Sequence, residues 1–316
     1  IPLTLILIPS FLAVFYGLFS YLFISFKPKK IVSSFLYFSL IFGLIEFIRG
    51  LILTGFPWNL IAYSFSNQLE ILGIISVIGT YGFNLFCISL FTSPAILILR
   101  DSRRDLGICF FFFIIIIFFY FYGYHYKEKF NNAYKIDYDY KIRVIGSNVS
   151  LDRYYEDVDT VSIIQELIDI SNPNIKEKTI FIWPEGIFPN ISQEELINYN
   201  SLFEKKFSEN HLLIIGINSQ LVRNSSKDYF NSLTIYDHQL NILNTYNKNN
   251  LVPFGEFLPF EKIFHNLGLK KITQGYQSFT PHNRRNLIKL NNFTFVPLIC
   301  YEVIYSGRIN KSEKNY

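Results

Sequence analysis

The chain has 316 residues, half of them hydrophobic and only 17% charged, with a net charge of +4. A charge so small and dispersed leaves no footprint for nucleic acid, and three cysteines are too few for a disulfide framework. A mean hydropathy of +0.23 is high for a soluble enzyme, and its source is local, because apolar residues crowd the first 126 positions.

A spanning helix needs about 20 largely apolar residues. Residues 3–26 carry no charge and qualify, despite Pro9 and Gly17. Residues 31–53 qualify with Glu46 and Arg49 three positions apart, a spacing that lets them pair on one helix face. Residues 71–99 are uncharged and longer than one span requires, so part of the run is expected to lie along the interface or re-enter. Residues 106–126, with the core FFFFIIIIFFYFY, make the fourth span. The links after the first and third spans hold Lys27, Lys29, Lys30 and Arg100, Arg103, Arg104, whereas residues 54–70 hold no Lys or Arg. The positive-inside rule puts the two basic links in the cytoplasm and everything after Tyr126 on the opposite face. The link TGFPW (54–58) is apolar yet turn-rich; it suits an interfacial aromatic anchor or the lining of a lipid-facing entrance.

The texture changes near Lys141. Residues 141–146, 179–182, 212–217, 232–237 and 293–299 read as strands, and NILNTYN (241–247) is strand-like. Residues 157–170 have helical spacing, and Ser192 with Glu195 forms a capping box that opens another helix. Strands alternating with helices give an α/β layered domain. The histidines lack metal-ligand spacing and no glycine-rich phosphate loop is present, so neither a metal nor a cofactor is expected. The expected organisation is a transmembrane domain over 1–126, a linker over 127–140 and a catalytic domain over 141–316.

Three polar residues stand where a strand meets a loop, the usual place for chemistry in α/β domains. Glu185 follows TIFIWP, Lys248 lies in YNKNNLVPFGEFLP, and Cys300 ends FTFVPLI. Taken singly, each has an ordinary explanation: a solvated acid, a surface lysine, a packed thiol. Taken together they form a chemical set. A free thiol of pKa about 8.5 and an ordinary Glu near 4.3 make proton transfer uphill by about 4 units, roughly 6 kcal/mol. Such a pair needs burial of the acid among apolar neighbours, here Trp183, Pro184 and Ile187, and a nearby ammonium to favour the thiolate and the oxyanion after it.

The order IWPEG, NKNNLVPFGE, ICYE resembles the carbon–nitrogen hydrolase (nitrilase) superfamily. With spans ahead of the domain, TGFPW between two of them, and LVPFGEFLP, the chain resembles the apolipoprotein N-acyltransferases of bacterial membranes along essentially its whole length. The resemblance implies an αββα nitrilase-like domain behind a multi-pass helical membrane domain. It implies Glu185 as general base, Lys248 as stabiliser of the tetrahedral intermediate and Cys300 as the acylated nucleophile. Glu256 would support the site, and Tyr301 and Glu302 would shape the surroundings of Cys300. A phospholipid would donate an acyl chain to the thiol. The α-amine of a diacylglyceryl-cysteine at an apolipoprotein N-terminus would then receive it, on the periplasmic side of the inner membrane. The apolar, aromatic segments 256–264 and 275–280 suit either a lid that excludes water or ordinary surface loops partly packed on the core.

The chain contains no Met and starts at Ile1, so it is expected to be a fragment at its N-terminus. Compared with the family pattern it is also expected to lack C-terminal strands, a tryptophan-bearing loop and a final span. Rival readings are a membrane-anchored amidase or nitrilase using the same residues, an outer domain that only binds a partner, and an inactive truncated remnant.

Overall fold

The computed structural model describes residues 4–52, 59–133, 139–147, 159–188, 190–223, 226–259, 278–282, 287–290 and 293–305. TGFPW falls outside them, as do residues 260–264 and 275–277 of the expected lid segments. The chain divides into two compact units, Ile1–Lys135 and Ile136–Ile304.

The first unit is helical. Helices α1 (Thr4–Phe26) and α2 (Ile31–Arg49) follow the first two apolar runs. The third run is broken, as its excess length foreshadowed. It gives α3 (Leu69–Leu72), then α4 (Ile75–Thr92), kinked where Gly79 takes φ 71°, then a 3₁₀ turn and α5 (Ile96–Leu99). Helix α6 (Leu106–Asn131) runs past the expected end at Tyr126. Four stretches among the described residues are long and apolar enough to cross a membrane: 5–26, 31–49, 75–99 and 103–131. The expected Glu46–Arg49 pair forms at 3.6 Å with both side chains buried. Asn84 of α4 donates to Glu46, and its Oδ1 accepts the Ala62 N–H at 3.0 Å. Polar groups inside an apolar helix bundle are tolerated where they find such partners.

The second unit is an α/β region. A five-stranded mixed sheet runs in the order β1-β2-β3-β4-β5: β1 (Lys141–Val144), β2 (Thr179–Trp183), β3 (His211–Arg223), β4 (Ser226–Tyr236) and β5 (Ile242–Asn247). Strands β1, β2 and β3 pair in parallel, and the β3–β4 and β4–β5 pairs are antiparallel. The expected strands at 212–217 and 232–237 prove to be the inner parts of one long hairpin. Helix α7 (Thr160–Ser171) is capped by Asp159, whose carboxylate accepts from Val161 N and Ser162 N. Its buried residues Ile163, Ile164, Leu167 and Ile168 make one apolar stripe, packed with Phe181, Trp183 and Leu213 on one face of the sheet. Each such burial contributes about 1.5–3 kcal/mol.

The other face carries Ile180, Leu212, Ile214, Ile235 and Tyr246. It packs with Ile288 and Leu290 of β6 (Ile288–Leu290), Phe295 of β7 (Phe293–Phe295), and Ile299. Two expectations are corrected here. The strand at 293–299 ends at Phe295, since Pro297 has no N–H to donate to a ladder, and a short strand, β6, precedes it. The capping box is half formed. Glu195 accepts the Ser192 N–H at 2.7 Å, but Ser192 Oγ is buried without a partner. A 3₁₀ turn (Leu196–Tyr199) and the single turn α8 (Asn200–Phe203) follow instead of a regular helix.

Candidate active site

The face that packs on β6 and β7 also carries the polar cluster. Side chains alternate along a strand, so Asn231 shares this face with Leu233 and Ile235, and Lys248 shares it with Tyr246. The β4–β5 register, with Ser232 opposite Asn247, sets Asn231 beside Lys248, and the Lys248 N–H donates to Asn231 O at 2.8 Å.

Glu185 arrives from the end of β2. The chain turns at Gly186, which has φ 62°, a conformation open to glycine at little cost. The returning backbone lies directly over Gly216 of β3. A Cβ at that position would stand 2.5 Å from Glu185 Cα and 2.9 Å from both Glu185 N and Pro184 O. Gly216 is therefore the seat of the acid. The expected apolar shelter does not surround the carboxylate. Trp183 and Ile187 are buried in the core on the opposite face, and the Glu185 side chain stays 35% exposed. Polar partners hold it instead.

Those partners form a closed ring. Lys248, only 1% exposed, donates from Nζ to Glu256 Oε1 at 2.8 Å and to Glu185 Oε1 at 3.5 Å. The Asn231 side-chain amide donates to the same two oxygens, each at 2.6 Å. Two donors thus alternate with two carboxylates. Glu256 is fixed further by its own turn, since Oε2 accepts the Val252 N–H at 2.8 Å and its own N–H donates to Val252 O at 2.8 Å. Burial would push the Lys248 ammonium toward neutrality, but the charges of Glu185 and Glu256 outweigh it and raise its pKa.

Cys300 opens a 3₁₀ turn (Cys300–Ile304) in the left-handed region at φ 52°, a backbone strain of about 1–3 kcal/mol for a residue with a Cβ. It is exposed. Glu185, Lys248 and the Tyr301 backbone lie close enough to act on its sulfur. Partial burial of the sulfur pushes the thiol pKa up, and the Glu185 charge adds to this. Lys248 and the Tyr301 N–H pull it down without reversing the shift.

Glu302 holds the turn. Its fully buried carboxylate accepts the Ile299 N–H at 3.0 Å on Oε2, and the Asn249 and Asn250 N–H groups at 3.0 and 3.1 Å on Oε1. The Tyr246 hydroxyl reaches both oxygens at 3.0 Å. The Glu302 N–H closes back to Ile299 O at 3.2 Å. One carboxylate therefore ties the cysteine turn to the loop just after Lys248. All six residues singled out in the sequence meet in one region, and Asn231 and Gly216 join them unforeseen. Among the described residues no group of three or more His, Cys, Asp or Glu side chains is placed to hold a metal ion.

Chemically, the arrangement offers an exposed thiol under the influence of an acid and of a buried ammonium paired with that acid. Comparison with known proteins points the same way. Residues 1–93 match the family model of the apolipoprotein N-acyltransferase N-terminal domain. The apolipoprotein N-acyltransferase of Rhodopseudomonas palustris is 28% identical over 323 residues, covering 98% of this chain and 59% of the relative. Those of Rhizobium etli and Brucella melitensis are 27% and 26% identical, covering 100% and 98% of this chain and 60% and 59% of the relatives. The chain thus spans about three-fifths of the length of the curated relatives it matches. These matches place the chain's similarity with the apolipoprotein N-acyltransferases along nearly its whole length.

Proposed function

We propose that this chain carries the acyl-transfer centre of an apolipoprotein N-acyltransferase, built on a nitrilase-like domain outside the cytoplasmic face of a bacterial inner membrane. The observation that supports the reading is that the buried Lys248 ammonium pairs with Glu185 and that the charges of both act on the Cys300 thiol.

The steps follow from that arrangement. Glu185 takes the thiol proton as sulfur attacks the ester carbonyl of a phospholipid. Lys248 opposes the negative charge on sulfur and on the developing oxyanion. Collapse expels the lysophospholipid alkoxide, which leaves with the proton from Glu185, and Cys300 remains as a thioester. The α-amine of a diacylglyceryl-cysteine, with pKa about 7.7–8, is partly unprotonated at neutral pH. It attacks the thioester and gives an amide, its proton passing through Glu185 back to the departing thiolate. A location at the bilayer suits both substrates, because each acyl CH₂ moved into water costs about 0.8 kcal/mol. The basic links at Lys27–Lys30 and Arg100–Arg104 support placing the centre on the far side of the membrane.

The test uses the protein in detergent micelles with phosphatidylethanolamine labelled in its acyl chain. Acid quenching should trap the label on Cys300, and a diacylglyceryl-cysteine lipopeptide should discharge it as an amide. Cys300→Ser should abolish the thioester, and Glu185→Gln should slow its formation. Free fatty acid as the sole product would replace the transferase with a hydrolase. An adduct at normal yield in the serine variant would remove Cys300 as nucleophile.

A further inference from the structure

The weakest link in the ring around Lys248 is the one that matters most for the chemistry. Lys248 is 2.8 Å from Glu256 but 3.5 Å from Glu185. Glu185 is also the more exposed of the two acids, 35% against 14%, so water competes for it and nothing in the ammonium contact stops it rotating outward. Its short bond is the 2.6 Å contact from the Asn231 amide. An Asn amide has two N–H donors, and here the same nitrogen reaches Glu185 and Glu256, each at 2.6 Å. Asn231 is itself fixed, buried in the interior of β4 with its carbonyl taken by the Lys248 N–H.

We infer that Asn231 is the positioning residue that holds Glu185 against Cys300, acting as a neutral brace between two carboxylates that would otherwise repel each other. The inference rests on Glu185 acting as the base. A side chain there must donate twice and carry no charge. Asp is isosteric but places a third carboxylate against Glu185 and Glu256, opposed only by Lys248. Leu keeps the volume and donates nothing.

The test compares Asn231→Leu and Asn231→Asp with the native protein in micelles, by two readouts. The first is acylation of Cys300 by labelled phosphatidylethanolamine between pH 5.5 and 8. Loss of one charge-assisted bond predicts acylation slower by about 10- to 100-fold in Asn231→Leu. Asn231→Asp should be slower still at pH 8 and recover relative to the native protein as the pH falls, because a protonated Asp donates once and is neutral. The groups facing position 231 in that titration are Glu185 from the β2 end, Lys248 and Glu256 from the segment after β5, and Cys300 from its turn. A structural role alone would give both variants a pH-independent ratio to the native protein.

The second readout is alkylation of Cys300 by iodoacetamide, which needs no acyl donor. Asn231→Asp should move its midpoint to higher pH, since the added negative charge disfavours the thiolate. Native protein that alkylates but never acylates would defeat the acyltransferase reading, and the alkylation shift would still decide the place of Asn231. Flat acylation ratios, or an unmoved alkylation midpoint in Asn231→Asp, would overturn the inference.

Discussion

Replacing Glu302 by Gln changes one oxygen to an amide and leaves the size of the side chain intact. The native carboxylate accepts from three backbone N–H groups and the Tyr246 hydroxyl. Gln must point its NH₂ at some of them. The better orientation keeps oxygen toward Asn249 and Asn250 and turns nitrogen toward Ile299, so the Ile299 N–H faces another donor. That loses one bond to a charged acceptor, worth about 1.5–3 kcal/mol, and weakens two more by about 1 kcal/mol each. Relief from burying the charge returns part of this. A net loss of about 2–4 kcal/mol in holding the turn is a shift of roughly 30- to 1000-fold toward a relaxed loop. The left-handed strain at Cys300, about 1–3 kcal/mol, then has nothing sufficient to oppose it.

Glu302 bonds Tyr246, which belongs to the core on the sheet face opposite Trp183, Leu213 and α7, so the domain should stay folded while the turn opens. Glu302→Gln should therefore cut the rate of Cys300 acylation at least tenfold with far-UV circular dichroism unchanged. Glu302→Asp keeps the charge but is one methylene short, and it should fail similarly. If Glu302→Gln acylates at the native rate with native thermal stability, the carboxylate is not what holds the nucleophile turn.

Two further outcomes follow from the site geometry. Gly216→Ala sets a methyl against the Glu185 backbone, so overpacking should cost about 1–3 kcal/mol in denaturant unfolding and slow acylation; an unchanged midpoint and rate would show that the Glu185 loop can move aside. The raised Cys300 thiol should alkylate with a midpoint above the value near 8.5 of a free cysteine, moving higher in Lys248→Met and lower in Glu185→Gln, and a midpoint below the ordinary value would contradict this electrostatic account.

The sequence exposed the members of the site that sit at chain discontinuities. Glu185 follows a proline and precedes a glycine, Lys248 ends a strand-like run, and Cys300 ends an apolar one. Asn231 had no such mark. It lies inside FNSLTIY, where a polar residue on alternating spacing reads as the solvent face of a strand, and only the opposing register with Lys248 reveals that this face is covered. Gly216 did carry a signal, for a glycine inside the apolar strand LLIIGI points to a close backbone approach; what approaches it is a matter of tertiary structure. The long β3–β4 hairpin was half legible because its outer part, NSQLVR against SKDYF, lacks apolar alternation and depends on the pairing itself. Residues 293–299 misled in the opposite direction, their apolar character reflecting burial of Ile299 and the partial burial of Phe295 without a ladder across Pro297.

On the proposed mechanism the two carboxylates of the ring take different tasks, and their distances from Lys248 suit them to those tasks. With the thiol protonated, Glu185, Glu256 and Lys248 leave one net negative charge. Moving the thiol proton to Glu185 creates no new charge; it transfers the negative charge from that carboxylate to sulfur. The change is tolerable only if Lys248 keeps a permanent counter-ion throughout, because an ammonium 1% exposed cannot turn to water. Glu256, at 2.8 Å and locked by the Val252 N–H, is that counter-ion. Glu185, at 3.5 Å and partly open to solvent, can become neutral without stranding the lysine. A tighter Lys248–Glu185 pair would oppose protonation of the base, and a looser one would let it leave the thiol. On that mechanism the long ammonium contact and the short Asn231 contact would together keep the base in place while leaving it free to accept a proton.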